Sequence, residues 1–129
     1  MFTHPHDWQV LVVEDQDDSV QVVSQILEHY GIEVHVARNG IECLEMVPVI
    51  QPTLVITDLA MPEMDGWQTL SQLRSQPETV DLVVVAITAY HSVNVAEDAL
   101  AAGFDAYFSK PIAAASFVDE LSALVNQLT

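Results

Sequence analysis

The sequence predicts an α/β domain in which a parallel five-stranded sheet is covered by helices on both faces. Three observations carry that prediction. Short β-branched runs alternate with amphipathic stretches five times along the chain. The runs are apolar throughout rather than at alternate positions, as strands buried on both faces are. The length, 129 residues with half of them hydrophobic, suits one domain with one sizeable core, since domains run to about 100–200 residues.

Taken in order, Gln9-Val10-Leu11-Val12-Val13 reads as the first buried strand, ending at Glu14-Asp15. A helix from about Asp17 to Tyr30 follows, with Val20, Val23, Leu27 and Tyr30 on one stripe. Asp17 or Asp18 is its expected N-cap and Gly31 its stop. Ile32 to Val36 forms the second strand. Asn39 caps a short helix through Val47, which Pro48 is expected to terminate. Leu54 to Thr57 is the third strand, ending at Asp58. The loop Pro62 to Gly66 leads to a helix from about Trp67 to Ser75, with Trp67 packing. Leu82 to Ile87 is the fourth strand, followed by Thr88-Ala89, and an alanine-rich helix then runs to Ala102, closed by Gly103. Ala106 to Ser109 is a short fifth strand before Lys110-Pro111. Ser116 is the expected cap of the last helix, with Asp119 and Glu120 near its positive end and Leu121, Leu124, Val125 and Leu128 facing the core.

Right-handed crossovers leave few arrangements for five such units, and the flavodoxin-like doubly wound order 2-1-3-4-5 is the obvious one. No linker, low-complexity segment or internal repeat divides the chain.

Composition narrows the function. Three Lys or Arg stand against nineteen Asp or Glu, a formal net charge of −16. Nucleic acid is excluded as a partner, because affinity for phosphate backbones comes from clustered Lys and Arg. Anionic membranes repel such a chain, whereas a cation or a basic face on a protein attracts it. Solubility accounts for most of the surplus. No apolar run approaches the ~18 residues of a membrane-spanning helix. Met1 to Trp8 lacks the apolar stretch of a signal peptide, so the expected location is cytoplasmic. The single cysteine, Cys43, allows no internal disulfide and reads as a buried thiol. The five histidines show no i, i+4 pairing that would suggest a transition-metal site.

In a doubly wound sheet the ligand site lies outside the carboxyl ends of the strands. Glu14 and Asp15 end the first strand, Asp58 the third, Thr88 the fourth and Lys110 the fifth. Three carboxylates in one pocket repel each other, and a divalent cation removes that penalty. All-oxygen ligation favours a hard ion such as Mg²⁺, which takes one or two carboxylates and keeps several waters. With a lysine and a hydroxyl alongside, the set suits phosphoryl transfer, one carboxylate attacking to give an aspartyl phosphate.

At these residues the chain resembles a family. Val12-Val13-Glu14-Asp15, Thr57-Asp58-Leu59-Ala60-Met61-Pro62-Glu63-Met64-Asp65-Gly66, Ile87-Thr88-Ala89 and Lys110-Pro111 look like the signature blocks of response-regulator receiver domains of two-component signalling, the CheY-like kind. The blocks span essentially the whole chain. The resemblance implies that Asp58 is the phosphoacceptor, that Asp15 ligates Mg²⁺ directly, and that Glu14 acts mainly through metal-bound water. The Ala60 backbone carbonyl would be the third protein ligand. Lys110 would pair with the Asp58 carboxylate or its phosphate, and its bond to Pro111 would be cis. Thr88 would follow the phosphoryl group inward, with Tyr107 as the switch aromatic. Residues 1–129 would form a single receiver domain with no output domain. Its partners would be a histidine kinase or histidine phosphotransfer protein and a downstream protein target. Such a domain is a phosphoacceptor switch that takes part in its own phosphorylation and dephosphorylation, not an enzyme with a separate substrate.

Plainer readings stand beside these. Glu14 and Asp15 could be a solvated lead-in to the helix, Thr88 a simple strand-end residue and Tyr107 a core residue. Ala60 and Tyr90 occupy positions where the family varies and which bear on how fast phosphate is lost; bulky Tyr90 would shield the site and small Ala60 leave it open. Val22 and Ile26 flank the stripe of the first helix and could form an apolar dock for the kinase, or be partly buried at the helix edge. A flavodoxin-type electron carrier shares the fold, but Glu14 to Asp18 would repel a phosphate from the first β-α turn. A phosphohydrolase with an aspartyl nucleophile would want an acid where Ala60 stands. A docking module that works without phosphorylation is the remaining alternative.

Overall fold

A computed structural model describes residues 7–89 and 92–128. Five strands alternate with five helices: β1 (Gln9–Val13), α1 (Asp17–His29), β2 (Glu33–Ala37), α2 (Gly40–Ile50), β3 (Leu54–Asp58), α3 (Gly66–Arg74), β4 (Val83–Thr88), α4 (Val93–Ala102), β5 (Ala106–Ser109) and α5 (Ala114–Leu128). The strands pair in parallel in the order β2-β1-β3-β4-β5. The expected fold and order are thus the observed ones.

The apolar runs divide their side chains between two cores, because successive residues of a strand point to opposite faces. Val10, Val12, Ile56, Val85 and Ile87 pack with Leu27 of α1 and Phe117, Leu121 and Val125 of α5. Leu11, Val13, Val55, Val84 and Ala86 pack on the other side with Cys43, Leu70, Leu73, Ala99 and Phe104. Trp67 packs edge-on against Phe104, with ring centroids 5.8 Å apart. Burial pushes the Cys43 thiol up to about 12, so it stays protonated and inert. No described helix is long and apolar enough to cross a membrane.

Several ends differ from the sequence reading. Gln16, not Asp17 or Asp18, is the N-cap of α1, and it makes no side-chain cap bond. The two aspartates lie in the first turn instead, where they meet the positive end of the helix dipole. Tyr30 is not a core residue; the helix stops at His29, and the non-helical backbone at Tyr30 turns it outward to 39% exposure. Pro48 does not end α2. It lies inside the helix with its ring exposed, and the Gln51 N–H bonds the Val47 carbonyl at 2.8 Å to keep the last turn wound. Gln51, in the left-handed region at φ 52°, makes the actual stop.

Ser116 does not cap α5. The Ala113 carbonyl accepts from the N–H groups of both Ser116 and Phe117, so the helix begins at Ala114, three residues earlier than a Ser116 cap implies, and Asp119 and Glu120 fall beyond its first turn. Asp65 and Gln68 cap α3 reciprocally, starting it at Gly66 rather than Trp67. β2 and β4 each begin one residue later than expected. Leu121 and Val125 face the core and Leu124 is partly buried against it, while the Leu128 side chain lies outside the described residues.

Candidate functional site

The four strand ends converge at one edge of the sheet. Glu14 follows β1 directly; its N–H bonds the Ala37 carbonyl at 2.9 Å, which extends the β1–β2 ladder by one residue and carries the side chain inward. Only 2% of Glu14 is exposed, and 6% of Asp58. Such burial of two carboxylates needs compensation. Lys110 provides it: its ammonium lies 2.9 Å from Asp58 Oδ2 and 3.3 Å from Glu14 Oε2. The Lys110 N–H bonds the Thr88 carbonyl at 2.9 Å, tying the base of this lysine to the end of β4. The Lys110–Pro111 peptide is cis, as the resemblance implied.

Local hydrogen bonds finish the carboxylates. The Ala60 N–H donates to Asp58 Oδ1 at 3.2 Å, and the Gln16 N–H donates to Glu14 Oε1 at 3.1 Å. Gly66 holds the loop after Asp58 in place. A Cβ there would lie 2.3 Å from the Asp58 carbonyl oxygen, so only glycine allows α3 to start so close to the strand end.

The electrostatics are uneven. Burial pushes the Glu14 carboxyl up to about 7, and its hydrogen bond to and repulsion by Asp58 push the same way, against the pull of Lys110. Burial also works to raise Asp58, but hydrogen bonds from Glu14, Lys110 and the Ala60 N–H outweigh it and hold the carboxyl below its usual range. Burial works to lower the Lys110 ammonium, yet the two carboxylates carry it above its ordinary value. One ammonium shared by two buried carboxylates leaves the pocket short of positive charge.

Asp15 is half-buried just beyond Glu14, and Ala60 is exposed. Among the described residues no three His, Cys, Asp or Glu side chains gather into a metal-binding cluster. Mg²⁺ does not need one, since one or two carboxylates plus waters suffice. The all-oxygen donors and the deficit of positive charge fit that ion.

Thr88 is 1% exposed at the end of β4. On β5, Tyr107 pairs with Ala86, two residues before Thr88, and packs half-buried against the core on the α2, α3 and α4 side. A hollow of about 380 Å³ opens beside Thr88, lined also by Leu59, Ala60, Met61, Trp67 and Val95. Tyr90 lies outside the described residues.

Val22 and Ile26 lie one turn apart on α1 and have different neighbours. Val22 is 50% exposed and lines a hollow with Ser19, Ile87, Lys110 and Pro111, whereas Ile26 packs partly against the core and borders a different hollow with His29 and Ala114. The sequence reading missed Ser19, whose Oγ lies 3.0 Å from the Lys110 ammonium. The available signal was its place one helical turn beyond Asp15, in the first turn of α1.

Comparison with known proteins agrees with this geometry. Residues 10–122 match the family model described as response regulator receiver domain. An uncharacterized 14.6 kDa protein of Leptolyngbya boryana is 37% identical over 103 residues, covering 80% of this chain and 79% of its own. The polar-differentiation response regulator DivK of Brucella anthropi is 29% identical, over 91% of this chain and 95% of its own. Among solved structures, the signal receiver domain of a signal transduction histidine kinase from Syntrophus aciditrophicus superposes with a TM-score of 0.84 at 28% identity, over 93% of this chain and 91% of that one.

Proposed function

This chain belongs to the response regulator receiver domain family, and from that premise we propose that it accepts a phosphoryl group on Asp58 from a histidine kinase or histidine phosphotransfer protein. Receiver domains are signalling switches of two-component systems rather than enzymes with a separate substrate. The observation that carries the reading for this chain is the 2.9 Å contact between the Lys110 ammonium and a buried, ionised Asp58 with Glu14 beside it. Of the three basic residues in the sequence, one stands at the carboxylates that need it.

The chemistry follows from the contacts. One oxygen of the Asp58 carboxylate attacks phosphorus, and the bond from phosphorus to the donor's leaving atom breaks. Lys110, already at Asp58, meets the charge of the incoming phosphoryl oxygens and holds it through transfer. A depressed carboxyl pKa keeps Asp58 ionised at neutral pH, the form that attacks. Glu14, Asp15, Asp58 and the Ala60 carbonyl would hold Mg²⁺, Glu14 mainly through water. The ion, when bound, neutralises charge on the carboxylates and the phosphoryl oxygens.

Transfer adds charge and acceptor oxygens at one end of the sheet. Thr88 then moves toward the phosphoryl group, Tyr107 turns inward, and the surface of α4, β5 and α5 shifts toward a state that binds a downstream protein. The net charge of −16 supports a protein partner with a basic face, not nucleic acid or an anionic membrane, and the lone cysteine, Cys43, fits a reducing, cytoplasmic setting.

The test is intact mass after incubation with acetyl phosphate and Mg²⁺, beside Asp58→Asn. The expected result is a Mg²⁺-dependent gain of one phosphoryl group that the variant lacks. If neither phosphoryl uptake nor a beryllofluoride complex is detected, the chain is instead a docking module that works without phosphorylation.

A further inference from the structure

Lys110 carries three N–H donors, and three acceptors meet them: Asp58 Oδ2 at 2.9 Å, Ser19 Oγ at 3.0 Å and Glu14 Oε2 at 3.3 Å. Two of these acceptors are claimed by other parts of the reaction. Asp58 gives up its free carboxylate when it is phosphorylated, and Glu14 would be drawn to a bound Mg²⁺ through its waters. Ser19 is the one acceptor that neither group takes.

Building on the phosphoacceptor reading above, we propose that Ser19 is a positioning residue for phosphoryl transfer, its hydroxyl holding the Lys110 ammonium at the site while Asp58 changes from carboxylate to acyl phosphate. Ser19 suits the task because it stands on the first turn of α1, a rigid element, and not on a loop. It is also uncharged, so its pull on the ammonium does not change with the charge of the site.

Lys110 has somewhere else to go. The hollow of about 200 Å³ bounded by Ser19, Val22, Ile87, Lys110 and Pro111 opens directly beside its stem. As Asp58 turns from carboxylate to acyl phosphate the ammonium must exchange the carboxylate oxygen for phosphoryl oxygens, and during that exchange a flexible four-carbon stem is free to sample the space. The Ser19 hydroxyl keeps the ammonium beside the phosphoryl oxygens instead. In the reaction with acetyl phosphate, the Asp58 oxygen forms the new bond to phosphorus as the bond to the acetyl oxygen breaks, and acetate leaves as an anion. No proton moves, so the fixed positive charge of Lys110 is what Ser19 delivers.

Ser19→Ala, Ser19→Thr and the unaltered chain are compared in three measurements. These are the rate of phosphoryl gain from acetyl phosphate by intact mass, the affinity for beryllofluoride, and the affinity for Mg²⁺ alone. Tryptophan fluorescence reads both affinities, Trp67 lining the hollow beside Ala60 and Thr88. Ser19→Ala is expected to slow transfer and weaken beryllofluoride by about fivefold to tenfold, the scale of one ordinary hydrogen bond, with Mg²⁺ affinity held within about twofold. Ser19→Thr, which keeps the hydroxyl, is expected to restore most of both.

Equal rates and equal beryllofluoride affinity in Ser19→Ala and the unaltered chain would overturn the proposal. So would a matching loss of Mg²⁺ affinity, which points to general distortion of the pocket, or a failure of threonine to restore. If the unaltered chain itself takes up neither phosphoryl nor beryllofluoride, the phosphoacceptor reading fails first, and the proposal falls with it.

Discussion

Glu14→Gln is expected to stabilise the metal-free protein at pH 8 and to leave it unchanged at pH 5. The folded protein holds the Glu14 proton up to about 7 against an ordinary 4.5. Because the folded chain binds this proton more tightly than the unfolded one, the stability it contributes is full below about 4.5 and is lost as pH rises through about 7. At ~1.4 kcal/mol per pH unit, ionising Glu14 in place costs about 3 kcal/mol by pH 8. Glutamine keeps an acceptor for the Gln16 N–H, and the pull of Lys110 on the carboxylate at 3.3 Å is already counted in the raised pKa, so only the imperfect fit of an amide in place of a carboxyl subtracts from the gain. The net gain is therefore about 1–2 kcal/mol. That corresponds to a rise in Tm of about 3–10 °C for a chain of this length.

Asp58 does not blur the comparison, because its carboxyl is held below the usual range and its contribution is lost only as pH falls beneath 3.8. The assay is urea denaturation of both proteins in EDTA at pH 5 and pH 8. The many exposed carboxylates contribute equally to both, so the difference between the proteins isolates Glu14. Parallel pH dependence in the two, or a variant less stable at pH 8, would refute the account of two buried carboxylates sharing one ammonium.

The other predictions concern the groups that hold this arrangement. Lys110→Met leaves Glu14 and Asp58 buried without a counter-charge and is expected to cost about 3 kcal/mol at pH 8, less at pH 5; adding Glu14→Gln should recover part of the loss in urea melts. Gly66→Ala drives a Cβ to 2.3 Å from the Asp58 carbonyl oxygen, with an expected cost of about 2 kcal/mol or more and weaker beryllofluoride binding. Arg74 donates to the carbonyls of Val80, Leu82 and Gly103 and to Asp105 Oδ2, at 3.0, 2.6, 2.9 and 3.1 Å. Arg74→Ala is expected to cost about 2–4 kcal/mol, and Arg74→Lys to recover less than half, because a single ammonium cannot span that fork; thermal melts decide both.

The sheet order and the strand-end positions of Glu14, Asp58, Thr88 and Lys110 were legible in the sequence because they rest on local signals. An apolar run such as Val83 to Ile87 is a strand buried on both faces wherever it sits, and the polar residue after it stands at the carboxyl end by chain geometry alone. Helix ends were less legible, since each is a contest between neighbouring groups. The Ala113 carbonyl displaced Ser116 as the cap of α5, and Gln51 rather than Pro48 closed α2.

The class of fold, the edge of the sheet that carries chemistry and the residue types present there all follow from signals local to the chain. How those residues share charge is set by packing between distant segments. Lys110 meets Glu14, Ser19 and Asp58 across 96, 91 and 52 residues of chain. Whether Ser19 reaches the Lys110 ammonium depends on the first turn of α1 and on side-chain positions that differ by tenths of an ångström. Hydrogen bonds and ion pairs weaken steeply over such distances, and periodicity in a sequence carries no information on that scale.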